Sequence, residues 1–298
     1  MSHVNSLRLA WQSKLVLLLV LPAVGADLFL EGNWWFAHQA PVAFWTLALS
    51  ALLGLLAWRV RSATPGAAVT GAGITASLMF STATTPYPPW RTALTPVLTV
   101  LVLTSLATRL GRRRKEQLGT AEDRKGRRSS QVAANLGVAT LFSFGVAQSW
   151  QLDQSWLGLA NMAPTAVFIA GLAALCEAAA DTISSEMGQV LSGRPRMITT
   201  LRLVSAGIDG AISVPGTLAG MIAAAIVAAS GTLALNGGAP MFALSCSGGI
   251  FGLFFDSLLG ATLERMGWLN NDAVNFLATL SSAAFALVLL SLLGHGAH

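Results

Sequence analysis

Residues 163–188 of the chain read APTAVFIAGLAALCEAAADTISSEMG. The first twenty of them, 163–182, are almost all apolar or small, and about 20 such residues are needed for a helix to span a bilayer. Three acids, Glu177, Asp181 and Glu186, stand within the last turns or just beyond them. A carboxylate at the centre of a span costs about 2.5–3.5 kcal/mol on insertion scales. The stretch therefore predicts a spanning helix whose final turns carry acids that need partners.

The composition of the whole chain agrees with a membrane protein. Hydrophobic residues make up 54% of the 298 residues and charged residues only 10%, against about 25% charged in soluble domains. In lipid, apolar side chains can face outward. The net charge of +5 reflects basic loops that orient membrane proteins, so we expect no nucleic-acid partner. The sequence has no P-loop, HExxH or CxxC motif, and its two cysteines lie in apolar runs.

The same length rule predicts an all-α polytopic membrane protein with about nine spans and a cytoplasmic N-terminus. The charges test that count, because seventeen of the eighteen basic residues then lie inside and only Arg91 lies outside. We expect one integral-membrane domain over residues 1–298, with cytoplasmic loops at 109–131 and 183–208. The predicted spans are 15–33, 41–58, 66–82, 93–108, 132–149, 163–182, 209–231, 240–262 and 273–294.

Four segments are polar where a plain span would not be, and the predicted topology places all four at the cytoplasmic side. They are residues 177–188, 207–216, 247–261 and 270–275. Glu177, Asp181 and Ser185 follow one another at intervals of four, so they share a helix face. Small residues flank each acid and leave room for close helix packing or for a ligand.

Clustered oxygen ligands beside Arg- and Lys-rich loops suit Mg²⁺-bound polyphosphate, since Mg²⁺ takes one or two protein carboxylates and fills its shell with phosphate and water. A water-soluble nucleotide would arrive from the cytosol and a lipid acceptor from the inner leaflet. A cation-coupled transporter also places carboxylates among helices, usually nearer the midplane and often with inverted repeats. A scaffold whose acids only join helices is a further alternative.

Five short motifs carry a resemblance to a known family. DTISSEMG at 181–188, GIDGAISVPG at 207–216 and DSLLGA at 256–261 occur in this order and spacing, with further similarity at 108–135 and 271–275. Together they resemble the integral-membrane family that includes the plant phytyl-phosphate kinase of tocopherol synthesis. The first two helices carry no recognisable signature of it.

The resemblance implies an enzyme that transfers the γ-phosphate of CTP or ATP to an isoprenyl monophosphate (phytyl, geranylgeranyl or farnesyl), with Mg²⁺ as cofactor. It makes Asp181, Asp209 and Asp256 the catalytic candidates, and adds Glu186 to these three as metal ligands. The implied phosphate contacts are Lys115, Arg127, Arg128 and Arg202. The implied neutral hydrogen-bonding residues are Gln131, Asn135, Ser213, Ser257 and Asn275. The acceptor is already ionised, so positioning and charge neutralisation would carry the catalysis.

Two other functions remain open on the sequence. One is a nucleotidyltransferase that makes a CDP-activated lipid, and the other is a transporter or flippase for an anionic lipid or solute. The expected location is a bacterial inner membrane with the site facing the cytoplasm. The oligomeric state stays open, a homodimer included.

Overall fold

A computed structural model describes residues 10–119, 126–152, 164–191 and 194–295. Within them the chain forms nine α-helices, one short antiparallel hairpin and two single turns of 3₁₀ and π type. The helices are α1 (Ala10–Arg59), α2 (Pro65–Thr82), α3 (Leu94–Arg109), α4 (Arg112–Leu118), α5 (Ser129–Leu152), α6 (Pro164–Leu191), α7 (Val214–Ala234), α8 (Gly238–Leu259) and α9 (Asn271–His295).

The 50-residue helix α1 consists of two arms that meet at Gln39, whose backbone is non-helical. The ring centroids of Phe36 and Phe44 lie 5.3 Å apart, whereas eight residues of straight helix would separate them by about 12 Å. The arm 10–38 therefore folds back against the arm 40–59, and α2 packs beside both. The two predicted spans 15–33 and 41–58 correspond to these arms.

Helix α6 lies at the centre of the bundle and packs against α3, α5, α7, α8 and α9. It is buried nearly throughout because most of its residues are alanine, glycine or another small side chain. The outer helices instead expose large apolar side chains, such as Val69 (75% exposed) on α2 and Leu233 (76% exposed) on α7. An apolar exterior around a small-residue centre is the pattern of a protein dissolved in lipid.

Five helices are long and apolar enough to cross a membrane, and a sixth span results if the bent pair α3 and α4 counts as one. The five are α1, α6, α7, α8 with its π turn, and α9. Helices α2 and α5 do not meet the same criterion in the described part of the chain, since Gly, Thr and Ser are frequent in both. The structure thus supports a polytopic helical protein, while the count of nine spans stays a prediction.

The four polar segments predicted to share one side of the membrane do share one end of the bundle. Helices α6 and α7 run antiparallel, since Gly220 of α7 contacts Ala180 of α6 and Gly231 contacts Leu172. The first turns of α1 reach the same end, where Gln12 Nε2 donates to the carbonyl of Trp268 at 2.8 Å. We refer to this side as the polar end of the bundle.

Both predicted loops contain more regular structure than expected. Helix α6 continues to Leu191, nine residues past the predicted end of its span. In the rest of the second loop, β1 (Arg196–Met197) pairs with β2 (Ala211–Ile212), which takes up residues predicted to open the seventh span, so that helix α7 begins only at Val214. In the first loop α4 forms a short basic helix between two glycines with positive φ, Gly111 and Gly119. Residues 120–125 of that loop lie outside the described residues.

Candidate functional site

The central feature of the polar end is a pair of acids, Asp181 on α6 and Asp256 on α8, whose carboxyl groups lie within hydrogen-bonding distance of each other. Both side chains are half-buried. Glu177 lies one turn earlier on α6, only 1% exposed, and interacts electrostatically with both aspartates. Two carboxyl groups this close need a proton or a cation between them. Asp181 and Asp256 were predicted as catalytic residues, and the structure brings them together.

Glycines let α6 and α8 approach closely enough to form this pair. A Cβ atom at Gly249 would lie 2.5 Å from Cys176 Cβ, and one at Gly252 would lie 2.5 Å from Glu177 Cγ. Real Cβ atoms are essentially never this close to a neighbour. Larger residues at these two positions would therefore separate the helices and disperse the acids.

Arg127 is the basic partner of the acid pair. Its Nη2 atom donates to Thr182 Oγ1 on α6 at 3.2 Å, and its charge acts on Asp181. The Arg127 amide donates to the carbonyl of Ser62 at 3.1 Å, and its carbonyl accepts from the amide of Thr64 at 3.0 Å. This backbone pairing fixes Arg127 at the edge of the cluster, as the predicted phosphate contact requires.

Gly126 permits that pairing. Its φ is +81°, and a Cβ atom there would lie 2.6 Å from Ala63 N and 2.7 Å from the carbonyl oxygen of Arg61. Only glycine combines this backbone conformation with such a close approach. Sequence reasoning missed Gly126, although a glycine directly before a candidate phosphate-binding arginine is a usable signal.

Asp209 lies in the loop before β2, at the margin of the cluster. Partial burial raises the pKa of its carboxyl group, and the guanidinium of Arg265 opposes that shift. Glu264 lies near both this loop and the acid pair, since its carboxyl group interacts electrostatically with Asp209 and with Asp181. Glu264 ends the π turn Gly260–Glu264 that follows α8, and such π segments are frequent at functional sites.

Lys115 and Glu186 form a separate ion pair beside the acid pair. The ammonium of Lys115, 1% exposed, contacts the Glu186 carboxylate, and Nζ also donates to the carbonyl of Ala107 at 2.7 Å. Lys115 was predicted to contact phosphate and Glu186 to bind metal. In this conformation the two side chains bind each other. Lys115 would have to leave Glu186 to contact phosphate, and Glu186 would have to leave Lys115 to bind a metal ion.

Several of the predicted neutral residues have local structural contacts. Gln131 Oε1 accepts from the amide of Arg128 at 2.8 Å and so caps α5, while Ser213 caps α7 by accepting from the amide of Gly216. Ser257 Oγ donates to the carbonyl of Leu253 within its own helix at 3.2 Å.

The remaining predicted residues differ in burial, and one of them, Asn135, lines the cavity described below. Asn135 is buried on α5, Asn275 is half-buried on α9, and the side chains of Arg128 and Arg202 are exposed. The last helix, α9, is capped by Asn270, whose Oδ1 accepts from the amide of Ala273, while Asp272 accepts from Ser13 Oγ at 2.6 Å.

The acids can be tested for their fit to Mg²⁺. Among the described residues, no three Asp, Glu, His or Cys side chains converge closely enough to hold a metal by themselves, so the predicted four-carboxylate set does not form a ready-made shell. Asp256 Oδ2 is nevertheless buried without a hydrogen-bond partner. One or two carboxylates are the usual protein share of a Mg²⁺ site, so Asp181 and Asp256 fit a Mg²⁺ ion that phosphate and water coordinate further.

A cavity of about 310 Å³ opens next to Arg127, between the second arm of α1, α2, α3 and α5. Its opening at the polar end carries four arginines, and its deeper wall is mainly apolar. The arginines are Arg61, Arg109, Arg112 and Arg127. Arg109, Arg112 and Arg127 all belong to the basic loop predicted at 109–131, but only Arg127 of the four was named as a phosphate contact, and Arg61 lies in a separate segment.

The helical bundle and its apolar, lipid-facing exterior together define an integral membrane protein, and its acids cluster at one end of the helices. Residues 48–283 match the family described as integral membrane protein DUF92, and the chain belongs to that family. The resemblance drawn from the five motifs is confirmed at this level.

Three relatives show the range of the similarity. An uncharacterised membrane protein of Synechocystis sp. is 34% identical over 66% of this chain and 73% of its own length. One of Methanocaldococcus jannaschii is 43% identical over 37% of this chain and 45% of its own length. The chloroplastic protein VTE6 of Arabidopsis thaliana is 30% identical over 58% of this chain and 51% of its own length. This chain thus spans about half the length of two of these relatives, and no solved structure matches it.

Proposed function

We propose that this protein is a Mg²⁺-dependent lipid-phosphate kinase that transfers the γ-phosphate of CTP or ATP to an isoprenyl monophosphate at the cytoplasmic face. The proposed type of reaction comes from the family resemblance to phytyl-phosphate kinase. The observation that carries the proposal is the position of Arg127, which lines the cavity with three other arginines, donates to Thr182 next to Asp181 and acts electrostatically on Asp181.

In this reaction an oxygen of the acceptor phosphate forms a bond to the γ-phosphorus. The bond between the γ-phosphorus and the β,γ-bridging oxygen breaks, and its electron pair leaves with the nucleoside diphosphate. The acceptor oxygen is already ionised, so no general base is needed. Asp181 and Asp256 would hold Mg²⁺, which neutralises the charge of the nucleotide phosphates. Arg127 would stabilise negative charge on the transferred group.

The seventeen-to-one distribution of basic residues supports nine spans with the polar end in the cytoplasm. Water-soluble nucleotide would then have direct access to Asp181 and Asp256, and membrane lipid would surround the rest of the molecule. A bacterial inner membrane fits this orientation.

The position of the label in the product tests the reaction type. Purified protein in detergent is incubated with Mg²⁺, farnesyl monophosphate and either nucleotide, labelled at the α- or the γ-phosphate. A kinase places γ-label in a prenyl diphosphate and leaves α-label in the nucleoside diphosphate, and chelation of Mg²⁺ stops the transfer. Label from the α-phosphate in the lipid would establish a nucleotidyltransferase instead. Folded protein that transfers neither label to farnesyl, geranylgeranyl or phytyl monophosphate would contradict the kinase and favour transport.

A further inference from the structure

The cavity beside Arg127 has the shape and polarity of a binding site for a lipid with one chain and a phosphate headgroup. The three arginines that were not named as phosphate contacts come from different elements, Arg61 after α1, Arg109 at the end of α3 and Arg112 at the start of α4. None of the described residues that line the cavity is acidic. Guanidinium groups bind phosphate oxygens in pairs of hydrogen bonds, so the rim favours an anion with several oxygens.

Arg112 and Arg127 are half-buried, while Arg61 and Arg109 are exposed. Arg109 Nη2 donates to the carbonyl of Val60, which ties the end of α3 to the end of α1. A guanidinium carries five N–H donors, so this bond leaves others for a ligand. Backbone contacts thus hold Arg109 and Arg127 in place at the rim, while Arg112 Nε donates to the Glu116 carboxylate at 3.1 Å, and the remaining donors of these groups are what the rim offers a phosphate.

The interior of the cavity suits a hydrocarbon chain. From Arg109 at the rim to Val97 at the far end of the lining, α3 covers twelve residues, or about 18 Å at the helical rise. Val97 and Val100 form part of the wall and are themselves almost fully buried. A volume of about 310 Å³ is at the small end of ligand pockets, which favours a single narrow chain over the two chains of a phospholipid.

An apolar groove on the outer surface gives such a chain a route from the bilayer. It has a volume of about 640 Å³, runs between α2 and both arms of α1, and shares Gly54 and Ala68 with the wall of the cavity. A Cβ atom at Gly54 would lie 2.7 Å from the carbonyl oxygen of Ala68. The groove and the cavity are thus separated only where these two helices touch, and lateral entry requires a small separation there.

We infer that this cavity is the acceptor site, with the phosphate of an isoprenyl monophosphate held by Arg61, Arg109, Arg112 and Arg127 and its single chain between α1, α2, α3 and α5. The inference rests on the proposed function for the identity of the lipid. Arg127 would then contact the acceptor phosphate on its cavity side and the nucleotide phosphates on the side of Asp181. The two reacting groups would meet at one arginine.

Photo-crosslinking without nucleotide tests the site independently of phosphate transfer. Protein in detergent is exposed to farnesyl monophosphate that carries a diazirine in its chain, irradiated and digested, and the labelled peptides are identified by mass spectrometry. We expect label on the second arm of α1, α2, α3 and α5, and loss of label when unmodified farnesyl monophosphate is added in excess. Label confined to α7, α8 or α9 would overturn the inference.

Variants with matched controls test the contacts with the phosphate headgroup and those with the hydrocarbon chain separately. Arg61→Gln and Arg109→Gln should each weaken binding about tenfold, because each removes a charged hydrogen-bond donor, while Arg59→Gln outside the rim should not. Val100→Trp should exclude the chain, whereas Val102→Trp on the lipid-facing side of the same helix should not. If Val100→Trp fails to fold, the two arginine variants still decide, and unchanged binding in both would overturn the site.

The two proposals can fail separately. Crosslinking to the cavity without any γ-phosphate transfer would leave the lipid site standing and remove the kinase. Transfer with label outside the cavity would leave the kinase and remove this acceptor site.

Discussion

Two pairs of neighbouring acids in the described part of the chain have different surroundings. Asp27 and Glu31 lie one turn apart on the first arm of α1, 0% and 7% exposed, with Asp27 accepting from Ser77 Oγ of α2. Asp181 and Asp256 are half-buried and lie beside Arg127. We call the first pair closed, because it is almost fully buried, and the second pair open, because it is partly exposed at the polar end of the bundle even though Asp256 Oδ2 is itself buried.

The comparison shows that burial of a carboxyl group does not by itself indicate a site. Both pairs contain an oxygen without a hydrogen-bond partner, on Asp27 and on Asp256. The second pair has an arginine whose charge acts on Asp181, a cavity that this arginine lines, and partial exposure at the polar end. Those three features are what nucleotide chemistry needs. We therefore expect mutations in the two pairs to differ in their effect on phosphate transfer.

The largest expected effect is the loss of phosphate transfer on neutralising the open pair. Asp181→Asn and Asp256→Asn should each reduce γ-phosphate transfer by about 100-fold or more, since charge placement is the main catalytic contribution in phosphoryl transfer. The rate is measured with saturating farnesyl monophosphate over a range of Mg²⁺ concentrations. Transfer that stays within threefold of the unmodified protein in both variants would show that this pair is not the metal site.

The ion pair Lys115–Glu186 gives the next largest effect, on stability. Removing one partner of a buried ion pair typically costs about 3–5 kcal/mol, so Lys115→Met should lower the unfolding temperature clearly. The double variant Lys115→Met/Glu186→Gln should recover part of that loss, as coupled residues do. Recovery of both stability and transfer would assign Glu186 to packing. Recovered stability without transfer would retain the predicted roles of Lys115 at phosphate and of Glu186 at the metal.

Alanine substitutions at Gly126 and Gly119 can be compared directly, and their expected effects are smaller than those at the ion pair. Both have positive φ, but a Cβ atom at Gly126 would clash with the backbone of residues 61–63, while one at Gly119 has nothing within 4 Å. Gly119→Ala should cost only the backbone strain, about 1–2 kcal/mol. Gly126→Ala should cost more and also lower transfer, because it displaces Arg127. Thermal unfolding and transfer rate measure both, and equal effects would contradict this role of Gly126.

The sequence predicted the helices and the gathering of acids at one end, because hydropathy and charge report where each segment lies relative to the bilayer. It placed Arg109 and Arg112 in one basic loop but could not bring Arg61 to them, since these residues meet only after α1, α3 and α4 pack. The pairing of Lys115 with Glu186, 71 positions apart, has the same cause. Hydropathy constrains depth in the membrane and carries little information on which helices are lateral neighbours.

The smallest expected effect is at the closed pair. In Asp27→Asn the Ser77 hydroxyl can still donate to the new amide, and the amide N–H can use the unpartnered oxygen of neighbouring Glu31. Stability should therefore change by no more than about 1 kcal/mol, and phosphate transfer should stay unchanged. Thermal unfolding and the labelled-nucleotide assay test both, with Asp256→Asn run in parallel. Loss of transfer comparable to that of Asp256→Asn, in a protein that remains folded, would mean that the closed pair is coupled to the open one through α2 and the cavity wall.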